Sequence, residues 1–401
     1  MKSTIHNITL FFLFISLIFD PTGEFFKLKY VSVLVAFFVF GINFIFNYRS
    51  VSLSKYQIIY IVVFTLIMPL YGISVTLLNT SLMNITDTSY IGFSLMIFLL
   101  VPLLVVPKER FIFIFIFSLR VLKAAILLVL ISFLIDKDSI GISQFFIEHK
   151  SLLLGFREYA GLSTYYIYFT ASPLLIILVA YDSYSLLNRV SIGNILLLSL
   201  SIIAIFLTGT RFNMLVAILM LPIALILNKY SLTRIYLNGI IFLVFLIVLS
   251  NNSFTSSFFT SSEDSNNAKI GYLESYVPIL ENPIYLILGQ GFNAHDWSYE
   301  FKNLMSKSGN DGTKTELTYL EFIRVFGIFF GVIFNLFVFA MPLLIYSTYK
   351  KINFLVVGIL IYIFSSAINP YLFSTNGVLV FLLFLISIKQ VPSSELVNKF
   401  I

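Results

Sequence analysis

The sequence predicts an all-α polytopic membrane protein of about twelve spans, and three observations carry that prediction. The 401 residues are only 11% charged, less than half the roughly 25% of soluble chains. They are 59% hydrophobic, with a mean hydropathy of +0.98. Apolar runs of near-spanning length recur from end to end, rich in the Phe and Tyr that suit lipid-facing helices and interfacial belts.

The runs fall at 5–19, 28–47, 56–78, 90–106, 110–135, 165–181, 192–208, 212–228, 233–250, 320–346, 353–369 and 371–388. Crossing roughly 30 Å of hydrocarbon takes about 20 residues. The first run, behind Lys2, has the outline of a signal peptide. Phe19-Asp20-Pro21 is a poor cleavage site, so the run reads as a retained first span. Asn369-Pro370 separates the last two runs as a turn or a kink. With the N-terminus in the cytoplasm, the inner loops hold Lys2, Arg49, Lys55, Lys108, Arg110, Arg189, Lys229, Arg234, Lys350, Lys351, Lys389 and Lys399. The short outer loops hold Lys27, Lys29 and Arg211. That bias places both termini in the cytoplasm. It turns two long segments outward: 136–164, and the polar stretch 251–318 between helices 9 and 10. No run reads as a separate soluble domain, so residues 1–401 form a single integral membrane domain.

The chain has no cysteine, which excludes disulfides and thiolate metal sites. His6, His149 and His295 lie far apart, so neither a metal nor another cofactor is expected. The net charge of +6 reports membrane orientation, not nucleic-acid binding.

Charge within or beside a span needs a reason. Arg211, in LTGTRFNML, sits between two apolar runs on the expected outer side. It reads either as a snorkelling residue at a helical hairpin or as an anion clamp whose planar fork matches phosphate oxygens. Arg157, in GFREYAGLSTYY, reads as a loop cation beside Glu158 or as a second contact to an acidic substrate group. Arg120 and Lys123 lie mid-span three residues apart, hence on one helical face. They pair with an acid, or they bind a lipid head group. Glu321 and Arg324 have the spacing to pair on one helix face. Glu316 stands just outside the tenth span, as a general base or as an acid favoured by the helix dipole. Gly289-Gln290-Gly291 reads as a turn, and His295 as an exposed loop residue, a ligand or a base.

Four segments resemble, in order, the blocks of the O-antigen ligase/polymerase superfamily. FREYAGLSTYY is similar to its Arg-x-x-x-Gly segment, and LTGTRFNMLVAIL to its Ser/Thr-Gly-Ser/Thr-Arg block. LGQGFN is similar to its Gly-x-Gly loop, and ELTYLEFIRVFG to its closing block, with Glu316 where many members have His and Gly327 at the terminal Gly. The resemblance implies a GT-C-like membrane glycosyltransferase of the bacterial inner membrane. It uses undecaprenyl-pyrophosphate-linked oligosaccharide at the periplasmic face and needs no cofactor. Glu316 in place of His favours the polymerase branch over the ligase branch, which transfers glycan to lipid A-core. By position, Arg157 and Arg211 hold the pyrophosphate and Glu316 serves as base. His295, Tyr319 and Arg324 contact substrate, with Arg120 and Lys123 as further candidates. A chain-length regulator, a flippase and membrane lipids are the expected partners. A lipid-linked oligosaccharide flippase is the non-enzyme alternative; the long 251–318 loop argues against it.

Overall fold

The computed structural model describes residues 2–25, 27–46, 53–79, 85, 87–135, 141–159, 162–227, 263–293, 315–349 and 353–388. It is mostly helical. The helices are α1 (Lys2–Phe19), α2 (Leu28–Phe46), α3 (Lys55–Val62), α4 (Met68–Asn79), α5 (Ser89–Leu100), α6 (Lys108–Ile135) and α7 (Gly141–Glu148). After a hairpin of β1 (Leu152–Tyr159) and β2 (Leu162–Phe169) come α8 (Leu175–Asn188), α9 (Ile192–Leu207) and α10 (Arg211–Leu227). Then follow α11 (Glu263–Glu281), α12 (Pro283–Leu288), α13 (Thr318–Asn335), α14 (Met341–Tyr349), α15 (Phe354–Ser365) and α16 (Thr375–Ser387). π-helical turns at Val63–Ile67 and Leu336–Ala340 join α3 to α4 and α13 to α14.

Among the described residues, four continuous stretches are long and apolar enough to cross a membrane: Leu28–Phe46, Lys55–Asn79, Lys108–Ile135 and Thr318–Ser347. Shorter apolar helices accompany them. Large apolar side chains face outward along these stretches, as at Leu34, Phe38 and Ile42 of α2. Water would penalise such a row, whereas lipid accepts it. The expected run 233–250 lies outside the described residues.

Two expectations need amendment. The chain is not wholly helical: Leu152–Tyr159 pairs antiparallel with Leu162–Phe169, Gly155 facing Tyr166 and Arg157 facing Thr164. The aromatic-rich LSTYYIYF suits a pleated surface, where rings pack across and along strands. The expected sixth span, 165–181, therefore gives its first residues to β2, and α8 begins only at Leu175. Within the polar segment 251–318 lie the helices α11 and α12.

Backbone contacts divide the chain into two compact units. Unit 1 comprises 1–43, 105–261 and 350–362; unit 2 comprises 44–104, 262–349 and 363–401. At the centre of unit 1 is α8, whose residues Leu175–Val179 have no exposed surface. A helix apolar on all sides needs neighbours all round, and α9 and α10 supply them, with Phe354 of α15 edge-on to Tyr181. Beside them, Phe14 of α1 meets Phe111 and Phe115 of α6 edge-on at 5.0 and 5.6 Å. In unit 2 the covered helix is α16, whose Phe381 and Phe384 pack on Phe64, Phe93 and Tyr60. A capping box starts α3: Ser54 Oγ accepts from the Gln57 amide at 3.2 Å, and Gln57 Oε1 accepts from the Ser54 amide at 2.8 Å. Gln57 Nε2 then donates to the Leu385 carbonyl at 2.8 Å, which ties α3 to α16.

Candidate functional site

In unit 1 the two arginine-bearing segments are packed together. Thr208-Gly209-Thr210 is the link between α9 and α10. Gly209, at φ 64°, takes the left-handed conformation that ends helices. Its amide donates to the Phe206 carbonyl at 3.0 Å, and the Met214 amide returns to the Thr210 carbonyl at 3.1 Å to begin α10. Arg211 is thus the first residue of α10. A cation there opposes the helix dipole, and a bound anion would reverse that penalty. The ring of Tyr166 in β2 lies where a Cβ at Gly209 would be, so the hairpin rests directly on this turn.

Paired positions share a sheet face, as do alternate residues of one strand. Positions 155, 157, 164, 166 and 168 are therefore on one side of the hairpin, and Tyr166 and Tyr168 stack there, nearly parallel, 5.9 Å apart. The face that meets the Arg211 turn is the face to which Arg157 belongs. Two buried oxygens at this turn, Thr210 Oγ1 and Asn213 Oδ1, have no hydrogen-bond partner among the described residues. Mostly on the other face of the hairpin, Leu154, Phe156, Tyr165 and Ile167, with Phe133, Gly155 and Tyr166, line an open, mainly apolar cleft.

In unit 2 the other two blocks interlock. The run of α13 breaks at Gly327, whose φ of 72° and ψ of 174° belong to a region essentially reserved for glycine. Just before the break, the Arg324 and Val325 carbonyls accept the amides of Gln290 (2.7 Å) and Gly291 (3.0 Å). A Cβ at Gly289 would overlap the Val325 carbonyl, and one at Gly327 the Ile287 carbonyl. Phe292 follows, its amide donating to Thr76 Oγ1 at 2.7 Å and its ring stacked on Tyr90.

A buried ion pair lies against this joint. Arg324 has no exposed surface. Its Nε donates to Glu321 Oε2 at 2.8 Å, and its Nη1 donates to the Asn293 carbonyl (2.8 Å) and to Gln290 Oε1 (3.3 Å). Glu321 Oε1 accepts from the Thr315 amide and hydroxyl, both at 3.0 Å, and from the Tyr276 hydroxyl at 2.5 Å. Burial pushes the Tyr276 phenol well above its ordinary range, and the Glu321 charge pushes it further, so it remains a donor. The pair thus holds Asn293 and Thr315, the residues flanking 294–314. Glu321 also lines a narrow crevice, with room for little more than a water molecule, together with Tyr90, Thr315, Thr318, Pro370 and Phe373.

The remaining candidates separate. Glu316 is half-buried two residues before α13, its carbonyl accepting the Thr318 amide at 3.1 Å. Tyr319, half-buried in the first turn of α13, packs on Tyr272 and Leu317. His295 lies outside the described residues, as do the side chains of Arg157 and Arg211. Arg120 and Lys123 of α6 belong to unit 1, where they share a carboxylate that sequence reasoning did not find. Asp182 of α8 lies 3.8 Å from Arg120 and 3.7 Å from Lys123. Arg324, expected as a substrate contact, is engaged with Glu321. Asp182, Tyr276, Thr315, Gln290 and Asn293 are the polar partners that only the structure reveals.

Among the described residues, no group of three His, Asp or Glu side chains is placed to hold a metal ion. No protein-family model, curated protein or solved structure significantly matches the chain.

Proposed function

We propose that the chain is a membrane glycosyltransferase of the O-antigen polymerase kind, which lengthens a surface polysaccharide from polyprenyl-pyrophosphate-linked repeat units at the outer face of the bacterial inner membrane. The observation that carries this reading is the packing of Tyr166 on Gly209. It joins, in one unit, the hairpin of Arg157 and the helix start of Arg211, two positions chosen from sequence as a diphosphate clamp.

In this mechanism the acceptor hydroxyl of a new repeat unit attacks the anomeric carbon of the growing glycan. The anomeric C–O bond to the carrier breaks, and its electron pair leaves with the pyrophosphate. Arg157, Arg211 and the amide end of α10 stabilise that departing charge. A carboxylate takes the hydroxyl proton, the part that the sequence resemblance gives to Glu316. One displacement inverts the anomeric centre. The aromatic cleft beside the hairpin offers ring faces on which a sugar can stack.

The test is reconstitution with lipid-linked repeat units. Arg157→Ala and Arg211→Ala should abolish lengthening while the protein still inserts; ladders of wild-type length from both would overturn the clamp. Synthesis in detergent would distinguish an enzyme from a flippase, which needs a sealed bilayer and makes no bond.

A further inference from the structure

Unit 1 carries an unbalanced charge inside a candidate span. Arg120 is twelve residues into the 28-residue helix α6, roughly 18 Å along a helix of about 42 Å, and so close to its middle. Two cations face one carboxylate. Lys123 is fully engaged: its Nζ donates to the Leu197 carbonyl (3.2 Å) and to Ser201 Oγ (3.0 Å), and it lies 3.7 Å from Asp182 Oδ2. Ser201 Oγ donates to that same oxygen at 2.6 Å. Lys123 and Arg120 thus share one carboxylate at nearly equal distances, which leaves the cluster one positive charge in surplus.

Arg120 is the cation on the open side of the cluster. It makes no hydrogen bond among the described residues, and its Nε is buried without a partner. Its nearest polar atom in the ion pair is Asp182 Oδ1 at 3.8 Å, beyond hydrogen-bond range. The Tyr181 ring lies 5.7 Å from the guanidinium carbon. The side chain is nevertheless 39% exposed. It opens at the edge of the outward stripe formed by Phe113, Phe117 and Leu128. An uncompensated arginine in the middle of a span is costly, and local thinning and wetting of the bilayer are how such groups are tolerated.

We propose that Arg120, backed by the Lys123–Asp182–Ser201 cluster, is a second oxyanion site. It takes a phosphate group that approaches laterally along the exposed face of α6. A phosphate supplies what the site lacks: one negative charge, and oxygens arranged to accept two parallel N–H bonds from a guanidinium. The site does not depend on the glycosyl-transfer reading, because neither Arg157, Arg211 nor Glu316 belongs to it.

The experiment is arginine-selective labelling of the full-length wild-type protein in detergent with phenylglyoxal, followed by peptide mass spectrometry at Arg120. Arg189, at the exposed end of α8, is the internal control. Arg120 should react when no anion is added. Dioctanoyl phosphatidylglycerol at roughly ten times its dissociation constant should then slow the reaction about tenfold, with Arg189 unchanged. Equal protection by inorganic phosphate would keep the oxyanion site and identify a free anion as sufficient. Protection by phosphatidylglycerol alone would identify a lipid-borne phosphate. An Arg120 that resists the reagent without any anion, or that neither compound protects, would overturn the proposal.

Discussion

Arg324→Met tests the organisation of unit 2 most directly. The change keeps the length of an apolar stem but removes every donor to Glu321 Oε2, Gln290 Oε1 and the Asn293 carbonyl. Glu321, at 2% exposure, would keep a charge with no cation against it. Removing one member of a buried pair costs about 3–5 kcal/mol, whereas replacing both members is often near neutral. At roughly 2–4 °C per kcal/mol for bodies in the size class of unit 2, that loss lowers the melting midpoint by about 6–20 °C. The assay is a double-mutant cycle of Arg324→Met, Glu321→Gln and the combination, read as thermal unfolding in one detergent. The double variant should melt well above Arg324→Met, with a coupling energy of about 1–3 kcal/mol. An Arg324→Met midpoint within the scatter of wild type would show that the pair does not hold the fold. A double variant as low as the sum of the two singles would show that the groups act independently.

Three further outcomes follow from neighbouring features. Gly327→Ala and Gly289→Ala each drive a Cβ into a backbone carbonyl and should cost about 1–3 kcal/mol in strain alone; Gly92→Ala, where a Cβ meets nothing within 4 Å, should melt at or slightly above wild type. Tyr276→Phe deletes one donor to the Glu321 carboxylate and should cost about 1.5–3 kcal/mol; an unchanged midpoint would mean that Thr315 and Arg324 suffice. Glu316→Gln should abolish glycan lengthening far more completely than Glu316→Asp, at similar melting temperatures. Full activity in both would remove Glu316 from the chemistry.

The helices were legible because spanning length and apolarity are strong signals, and the first five expected spans differ from the observed helices by only a few residues at their ends. Glu321 and Arg324 were legible as a pair from their spacing, although not as the clasp on Asn293 and Thr315, which depends on residues far away in sequence. The hairpin was missed for a physical reason: LSTYYIYF is continuous with the apolar run of α8, so it resembled the head of a span. That error also hid Asp182. A span counted to 181 leaves Asp182 in a loop; once β2 takes the first residues, the helix shifts downstream and carries Asp182 inside, where Arg120 and Lys123 meet it. Gly289-Gln290-Gly291 was legible as a turn, yet no local pattern announces that its amides complete a helix 34 residues later.

The break at Gly327 differs in kind from the kinks that let membrane helices flex. A kink is soft when it leaves carbonyls hungry, since water or a sliding side chain can serve them in more than one pose. Here a foreign stretch of backbone has already plugged those carbonyls, and glycines on both sides let the two main chains mesh like a zip. The discontinuity is therefore a rivet, and any motion that unit 2 makes must bend somewhere else.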